Sequence, residues 1–245
     1  MANEKVQLDS MLRSVLSVAN EEQSFFYSPK IYQDQYNVVT SLLLSKLSKL
    51  YPSEQWVIDT IDPFVEKVLI PVTNGYIQLP DNYRDLLGSP QIAVKKDKSG
   101  ECSEAIVIDT AREFQLSNLK GKCEKRPVII VPEAEFALRT TSTYNYPTHW
   151  NPIGYFSGKK QITVCPFDIG KVEVLYARQE KQVVYGYITQ PDDTFLFDLA
   201  TSVLSEWSNA AFDPIFKALI HLYSAYAKDG ELQNWAILLT QHGIL

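Results

Sequence analysis

The sequence predicts an α+β protein, with a helical bundle formed by its amino- and carboxy-terminal helices and an antiparallel β-rich module inserted between them. Three observations carry this. Apolar residues recur at helical spacing before residue 63 and again after residue 205. Between those limits the period drops to two, and short runs are punctuated by Asn, Gly and Pro. The order is therefore helices, strands, helices, which assigns 1–63 and 205–245 to the bundle and 64–204 to the module. A charged protrusion is expected near 95–126, where Lys95 to Arg126 holds eight basic and six acidic residues.

A first helix is expected over 5–20, with Val6, Leu8, Leu12, Val15, Leu16 and Val18 as its apolar positions. The second is the clearest. Ser28 is a good N-cap, and Pro29 sits at the first helical position, where its missing N–H costs nothing. Tyr32, Tyr36, Val39, Leu43, Leu47 and Leu50 then recur at steps of three and four until Pro52. A short helix from Glu54 to Ile61 is closed by Pro63. Next, "FVEKVLIPV" and "GYIQLP" flank Thr73-Asn74-Gly75, a strong hairpin signal because Asn-Gly accepts positive φ. Pro80 ends the second strand, and a one-turn helix is expected from Asp81 to a stop at Gly88.

Further on, "PQIAVKK" reads as a strand, "DKSG" as an exposed tip, Thr110 to Leu116 as a short helix and "PVIIVP" as another strand. A three-stranded meander is expected near Ile153–Phe156, Gln161–Cys165 and Val172–Ala177, with a further strand at Gln182–Ile188. Phe212, Ile215, Phe216, Leu219, Leu222, Tyr223 and Tyr226 form a helical stripe, with Asp213-Pro214 near its start. Asp229-Gly230 breaks it, and Leu232, Trp235, Leu238 and Leu239 mark a last helix.

The totals narrow the function classes. The 245 residues carry a net charge of -6, whereas a DNA-wrapping protein is basic. The charge is uneven: residues 1–62 hold five basic and eight acidic groups, 191–245 two and seven, and 63–190 sixteen and fourteen. Cys102, Cys123 and Cys165 are few and widely spaced, which fits free thiols in a reducing compartment. The opening "MANEKVQLDS" has no apolar signal core, and no apolar run approaches the roughly 20 residues of a membrane span. Synthesis in the cytoplasm, without membrane contact, is the expectation.

Motifs for chemistry are few. The sequence holds no phosphate loop, dinucleotide fingerprint, nucleophile elbow or H-E-x-x-H. Cys102, Cys123, His149 and Cys165 have the residue types of a zinc site but lack the close C-x₂₋₄-C pair. Asp192-Asp193 and Glu133/Glu135 are compatible with acid–base or magnesium work and equally with solvated faces. Lys120, Lys122, Lys125 and Arg126 have the charge to touch phosphates, or simply form a solvated loop. No cofactor, metal or catalytic residue is assigned. The aromatic run Tyr144, Tyr146, Trp150, Tyr155 and Phe156 suits stacking on a sugar or base, and suits contact with a neighbouring chain better.

Several stretches fall in a familiar order: the capped amino-terminal helix, "DPFVEKVLIPVTNGYIQLPDNYRDL", the glycine-turn meander ending in Tyr176, and Glu206-Trp207 leading into a helix. In this order the chain resembles the head–tail connector (adaptor, or ring) proteins of tailed bacteriophages, closest to the ring proteins of crAss-like, podovirus-type phages. The resemblance implies a non-enzymatic virion protein of the neck region. Its copies, about twelve, form a ring below the portal through head-to-tail contacts. Portal protein and neighbouring ring or tail proteins are its partners, and double-stranded DNA passes through the lumen without specific binding. On that reading Tyr83, Tyr144, Tyr146, Trp150 and Trp207 are the expected interface residues, and Glu206, Asp213, Asp229 and Glu231 the expected acidic channel-facing ones. The alternatives are a virion-associated module binding carbohydrate or receptor through Tyr144–Phe156, and a hydrolase.

Overall fold

The computed structural model describes residues 8–18, 28–95, 123–191 and 195–227. Among these the protein is mixed α+β, with five α-helices and mostly antiparallel sheets. The chain divides into two compact units: one takes residues up to Phe64 and from Gln179 onward, and the other is the continuous stretch Val65–Arg178. The expected exit from the module lay at 204. Residues 179–204 belong instead to the first unit.

The first unit holds α1 (Leu8–Val18), α2 (Pro29–Leu50), α3 (Gln55–Ile61) and α5 (Phe212–Ala227). α2 starts as its sequence requires, with the Ser28 side chain accepting from the Ile31 N–H and Pro29 in the first turn. Its inward stripe, Tyr32, Tyr36, Val39, Leu43 and Leu47, is buried, while Leu50 is exposed. The Tyr32 hydroxyl donates to the Leu8 carbonyl at 3.1 Å, tying α1 to α2. α5 is preceded by a 3₁₀ turn, Asn209–Ala211, and buries Ile215, Leu219, Ile220 and Tyr223.

Polar side chains of α2 hold an extended strap against the helix. The Asn37 amide accepts from the Val183 N–H at 2.8 Å and donates to its carbonyl at 3.0 Å. Gln33 accepts from the Tyr185 N–H at 3.0 Å. Val183 and Tyr185 turn inward while Val184 turns out. The strap continues as a hairpin of β10 (Tyr187–Thr189) and β11 (Phe195–Phe197). The strand expected at 182–188 is thus a side-chain-bound strap followed by a short paired strand.

The second unit packs two sheets face to face. One joins β1 (Val65–Pro71), β9 (Lys171–Arg178), β4 (Gln91–Lys95) and β5 (Cys123–Pro127), with β3 (Tyr83–Leu86) also on β9. The other runs β2 (Tyr76–Gln78), β8 (Gln161–Cys165), β7 (Ile153–Gly158), β6 (Ile129–Ile130). Ile70, Ile77, Val94, Val128, Ile162, Val164, Val172 and Val174 fill the space between them. α4 (Glu133–Thr141) covers the other face of the second sheet, setting Phe136 against Val131, Ile153 and Cys165.

Four expectations for this unit need correcting. The Asn74-Gly75 turn forms, with φ of 53° and 78°, and Thr73 and Tyr76 exchange both backbone bonds. The strands beyond it do not pair with each other, because β1 lies on β9 and β2 on β8. The turn is a corner between sheets, not a hairpin. The one-turn helix after Pro80 is strand β3 instead, because β9 has a free edge there and Tyr83 and Leu86 pack on the core between the sheets. The meander is split, since β7 pairs with β8 but β9 crosses to the other sheet. The base of the expected protrusion is a paired ribbon, Gln91↔Pro127 to Lys95↔Cys123. "PVIIVP" contributes only the two-residue β6, parallel to β7, and leads into α4, a helix the sequence reading lacked. The expected tip "DKSG", the helix Thr110–Leu116 and the last helix after Asp229 lie outside the described residues.

Candidate interaction surfaces

The aromatic loop of the second unit follows α4. The Ser142 hydroxyl accepts from the Tyr144 and Asn145 N–H groups at 3.3 and 3.1 Å, which turns the chain out of the helix. Tyr144 is left 97% exposed. Its neighbours have partners. The Tyr146 hydroxyl accepts from the buried Cys165 thiol at 3.7 Å. Trp150 lies under the Arg126 guanidinium, 4.0 Å from ring centroid to Cζ, a cation–π contact. Tyr155 packs on Phe136 with centroids 4.7 Å apart. Two of the run's rings, Trp150 and Tyr155, are thus engaged within the unit, while Tyr144, Tyr146 and Phe156 are exposed.

The thiol is chemically quiet. Burial pushes the Cys165 thiol up from its ordinary value, and its hydrogen bond pushes the Tyr146 phenol up as well. A raised thiol pKa means little thiolate at neutral pH, the opposite of what a nucleophile needs. Of the sequence-level zinc set, His149 Nε2 lies 3.4 Å from Asp168 and Cys165 faces Tyr146. Cys102 and the Cys123 side chain lie outside the described residues, as does the pair Asp192-Asp193. Among the described residues no three His, Cys, Asp or Glu side chains converge as a metal site requires. Glu135 pairs with Arg139 one turn along α4. Lys125 pairs with Glu173 at 2.9 Å, and Lys67 reaches the same carboxylate at 2.9 Å, so this cation belongs to a cross-strand cluster.

Tyr83 is half-buried, its ring 5.9 Å from that of Tyr176. Burial raises its phenol. Behind it the Tyr176 hydroxyl donates to Glu66 at 2.5 Å and lies 3.0 Å from Asn82 Oδ1. Tyr83 caps a network that joins β1, β3 and β9.

In the first unit Trp207 is not the surface anchor expected. It is 1% exposed, packed against Phe64 with ring centroids 4.7 Å apart, and its indole N–H donates to Glu180 at 3.0 Å. Of the expected channel carboxylates, Glu206 accepts from the Lys181 N–H at 3.2 Å, lies 3.7 Å from Lys181 Nζ and is 17% exposed. Asp213 is exposed and pairs with Lys217 at 2.7 Å. Asp229 and Glu231 lie outside the described residues.

Two apolar features of this unit were missed. The first is the β10–β11 hairpin. Ile188 and Leu196 are cross-strand partners, so both project from the same face, and each is 52% exposed. Tyr187 and Phe195 pack edge to face at 5.2 Å on the other face and are themselves exposed. The second is a groove of about 250 Å³ between α2 and α5. Val39, Leu42 and Leu43 face Pro214, Ala218 and Leu222 across it, with Lys46 and His221 the polar members of its lining. Leu42 is 67% exposed. A signal for each was present. Leu42-Leu43-Leu44 puts one leucine off any single helical stripe, and "GYIT…TFLFDL" has apolar residues at both parities, leaving the hairpin no polar face.

No protein-family model matches the chain, and no curated protein matches it.

Proposed function

We propose that the chain is a structural ring component of a tailed-phage neck, a connector whose copies surround the DNA channel below the portal. On this reading a helical bundle built from both chain ends carries the contacts between copies, and the inserted β-module meets adjacent rings or tail parts. The observation that carries it is the apolar surface of the first unit. Monomeric proteins rarely leave a paired strand with exposed aliphatic and aromatic residues on both faces. Between Val184 and Leu204 this chain exposes Tyr187, Ile188, Phe195, Leu196, Leu199 and others. Such a surface calls for a protein partner.

Charge supports the channel part of the reading. The residues of the first unit include eight basic and sixteen acidic groups, and those of the second fifteen and thirteen. A ring lined by the first unit repels phosphate and lets DNA slide. Because Glu206 and Asp213 are paired with lysines, this repulsion comes from the unit's net charge and not from those two side chains. A carbohydrate-binding alternative is left with Tyr144, Tyr146 and Phe156, since Trp150 and Tyr155 have their rings engaged.

The test is native mass spectrometry of the full chain, alone and mixed with portal protein, followed by electron microscopy of the assembly. A closed ring coaxial with the portal is expected. A chain that stays single with portal present, or a density away from the portal–tail axis, overturns the proposal.

A further inference from the structure

We infer that the β10–β11 hairpin of one copy seats in the α2–α5 groove of the next, so that this knob and groove form the repeating contact of the assembly. The inference rests on the ring reading and specifies its interface.

Both features lie in the first unit, and α2 separates them. The strap that bears the hairpin is held on the Gln33 and Asn37 side of the helix. The groove opens on the side of Val39, Leu42, Leu43 and Lys46. At about 100° per residue these two faces are about 150° apart around the helix axis. The hairpin is therefore rooted on the flank of α2 opposite its own groove. Two unlike, complementary patches on opposite flanks of one element are what a head-to-tail contact needs, and such contacts close into rings when the rotation allows.

The fit is chemical as well as geometric. The groove is smaller than the roughly 300–1,000 Å³ of a small-molecule pocket. It suits one or two large apolar side chains, and the Ile188–Leu196 pair supplies two from one face. Charge agrees too. Residues 182–204 include three aspartates and no lysine or arginine, while the lining of the groove carries the cation Lys46. Opposite signs across a contact fix register and suppress wrong pairings.

The experiment places the photo-cross-linker benzoylphenylalanine at position 42, where Leu42 is largely exposed, in the otherwise unchanged full chain. Equal amounts of ¹⁵N-labelled and unlabelled copies are mixed, assembled alone or on portal protein, irradiated and mapped by peptide mass spectrometry. Cross-links to residues 187–197 are expected, with half of them joining labelled to unlabelled copies. In sedimentation, Ile188→Asp and Leu42→Glu are each expected to weaken self-association at least about tenfold, and Ile188→Leu to preserve it. Thermal melts of the unassembled variants check that the fold survives.

Association with cross-links to residues 228–245, to another surface or within one copy sinks the hairpin contact and leaves the ring standing. Association with no cross-link does the same. Failure to associate, alone and with portal, sinks both readings.

Discussion

Trp207 shows how a single side chain is misread when its surroundings are unknown. The resemblance made it an interface residue, although its sequence alone left core and interface both open. In the fold its indole completes a chain of contacts from Phe64 to Glu180, and its backbone N–H donates to the Ser205 hydroxyl, which lies 2.7 Å from that of Tyr36. Trp207→Ala should destabilise the isolated chain by about 3–5 kcal/mol, read from urea denaturation, through the cavity it leaves and the loss of the indole's bond to Glu180. An unchanged midpoint would return Trp207 to the surface. Tyr176 makes a second prediction at this scale. Burial, and then the hydrogen bond to Glu66, push its phenol up to about 12. The unfolded phenol titrates near 10, so the folded state favours the protonated form. The resulting stability is present in full below about pH 10 and is lost as the pH climbs toward 12. Tyr176→Phe cannot ionise, so its urea midpoint should fall less steeply than the wild type's between pH 10 and 12. Equal slopes would show that Tyr176 carries no share of the alkaline loss.

At the scale of elements, legibility followed locality. α2 was readable because its proline and its stripe lie within its own 22 residues and its cap, Ser28, immediately precedes them. The Asn74-Gly75 corner was readable for the same reason, since positive φ is a local demand. Which strands meet beyond it was not, because β1 finds β9 and β2 finds β8 more than 80 residues away. Tyr83–Leu86 misled because Asp81, Tyr83, Leu86 and Leu87 mimic a capped helical turn, whereas the open edge of β9 decides the matter. α4 was invisible because its N-cap is Pro132, which offers no side-chain bond, and it buries little beyond Phe136. The interaction surfaces were least legible, since both the hairpin and the groove are defined by what fails to cover them. Gly186, at the root of the hairpin, gives the element-scale prediction. Its N–H donates to the Ser202 hydroxyl at 2.9 Å and its carbonyl accepts from the Asp198 N–H at 2.9 Å. An added Cβ would sit 2.6 Å from the Asp198 carbonyl oxygen, which is backbone and cannot swing away. Gly186→Ala should therefore loosen residues 187–204, seen as faster hydrogen exchange there, while exchange in β7, β8 and β9 stays unchanged. Uniform protection in the variant would mean that the strap tolerates the methyl.

For the whole molecule, the decisive fact is how the two units join. The second unit begins at Val65 and ends at Arg178, and Val65 pairs directly with Ala177 in the antiparallel β1–β9 ladder. Cα atoms across such a pair lie about 4.5–5.5 Å apart, so the module enters and leaves through adjacent points. A stretch with its own core and neighbouring ends can be excised from its host. Residues 65–178 expressed alone should fold cooperatively, held by the core between the two sheets and by α4 over Cys165. The complement, 1–64 joined to 179–245 by a short Gly-Ser linker, should keep its helices, because the ends to be bridged lie close together. The two pieces also separate the proposed roles. The complement retains the hairpin and the groove, so it should self-associate like the full chain while no longer engaging adjacent rings. The isolated module should remain monomeric. Sedimentation of the two pieces decides this, and a module that oligomerises while the complement stays single would move the contact between copies from the helices to the sheets.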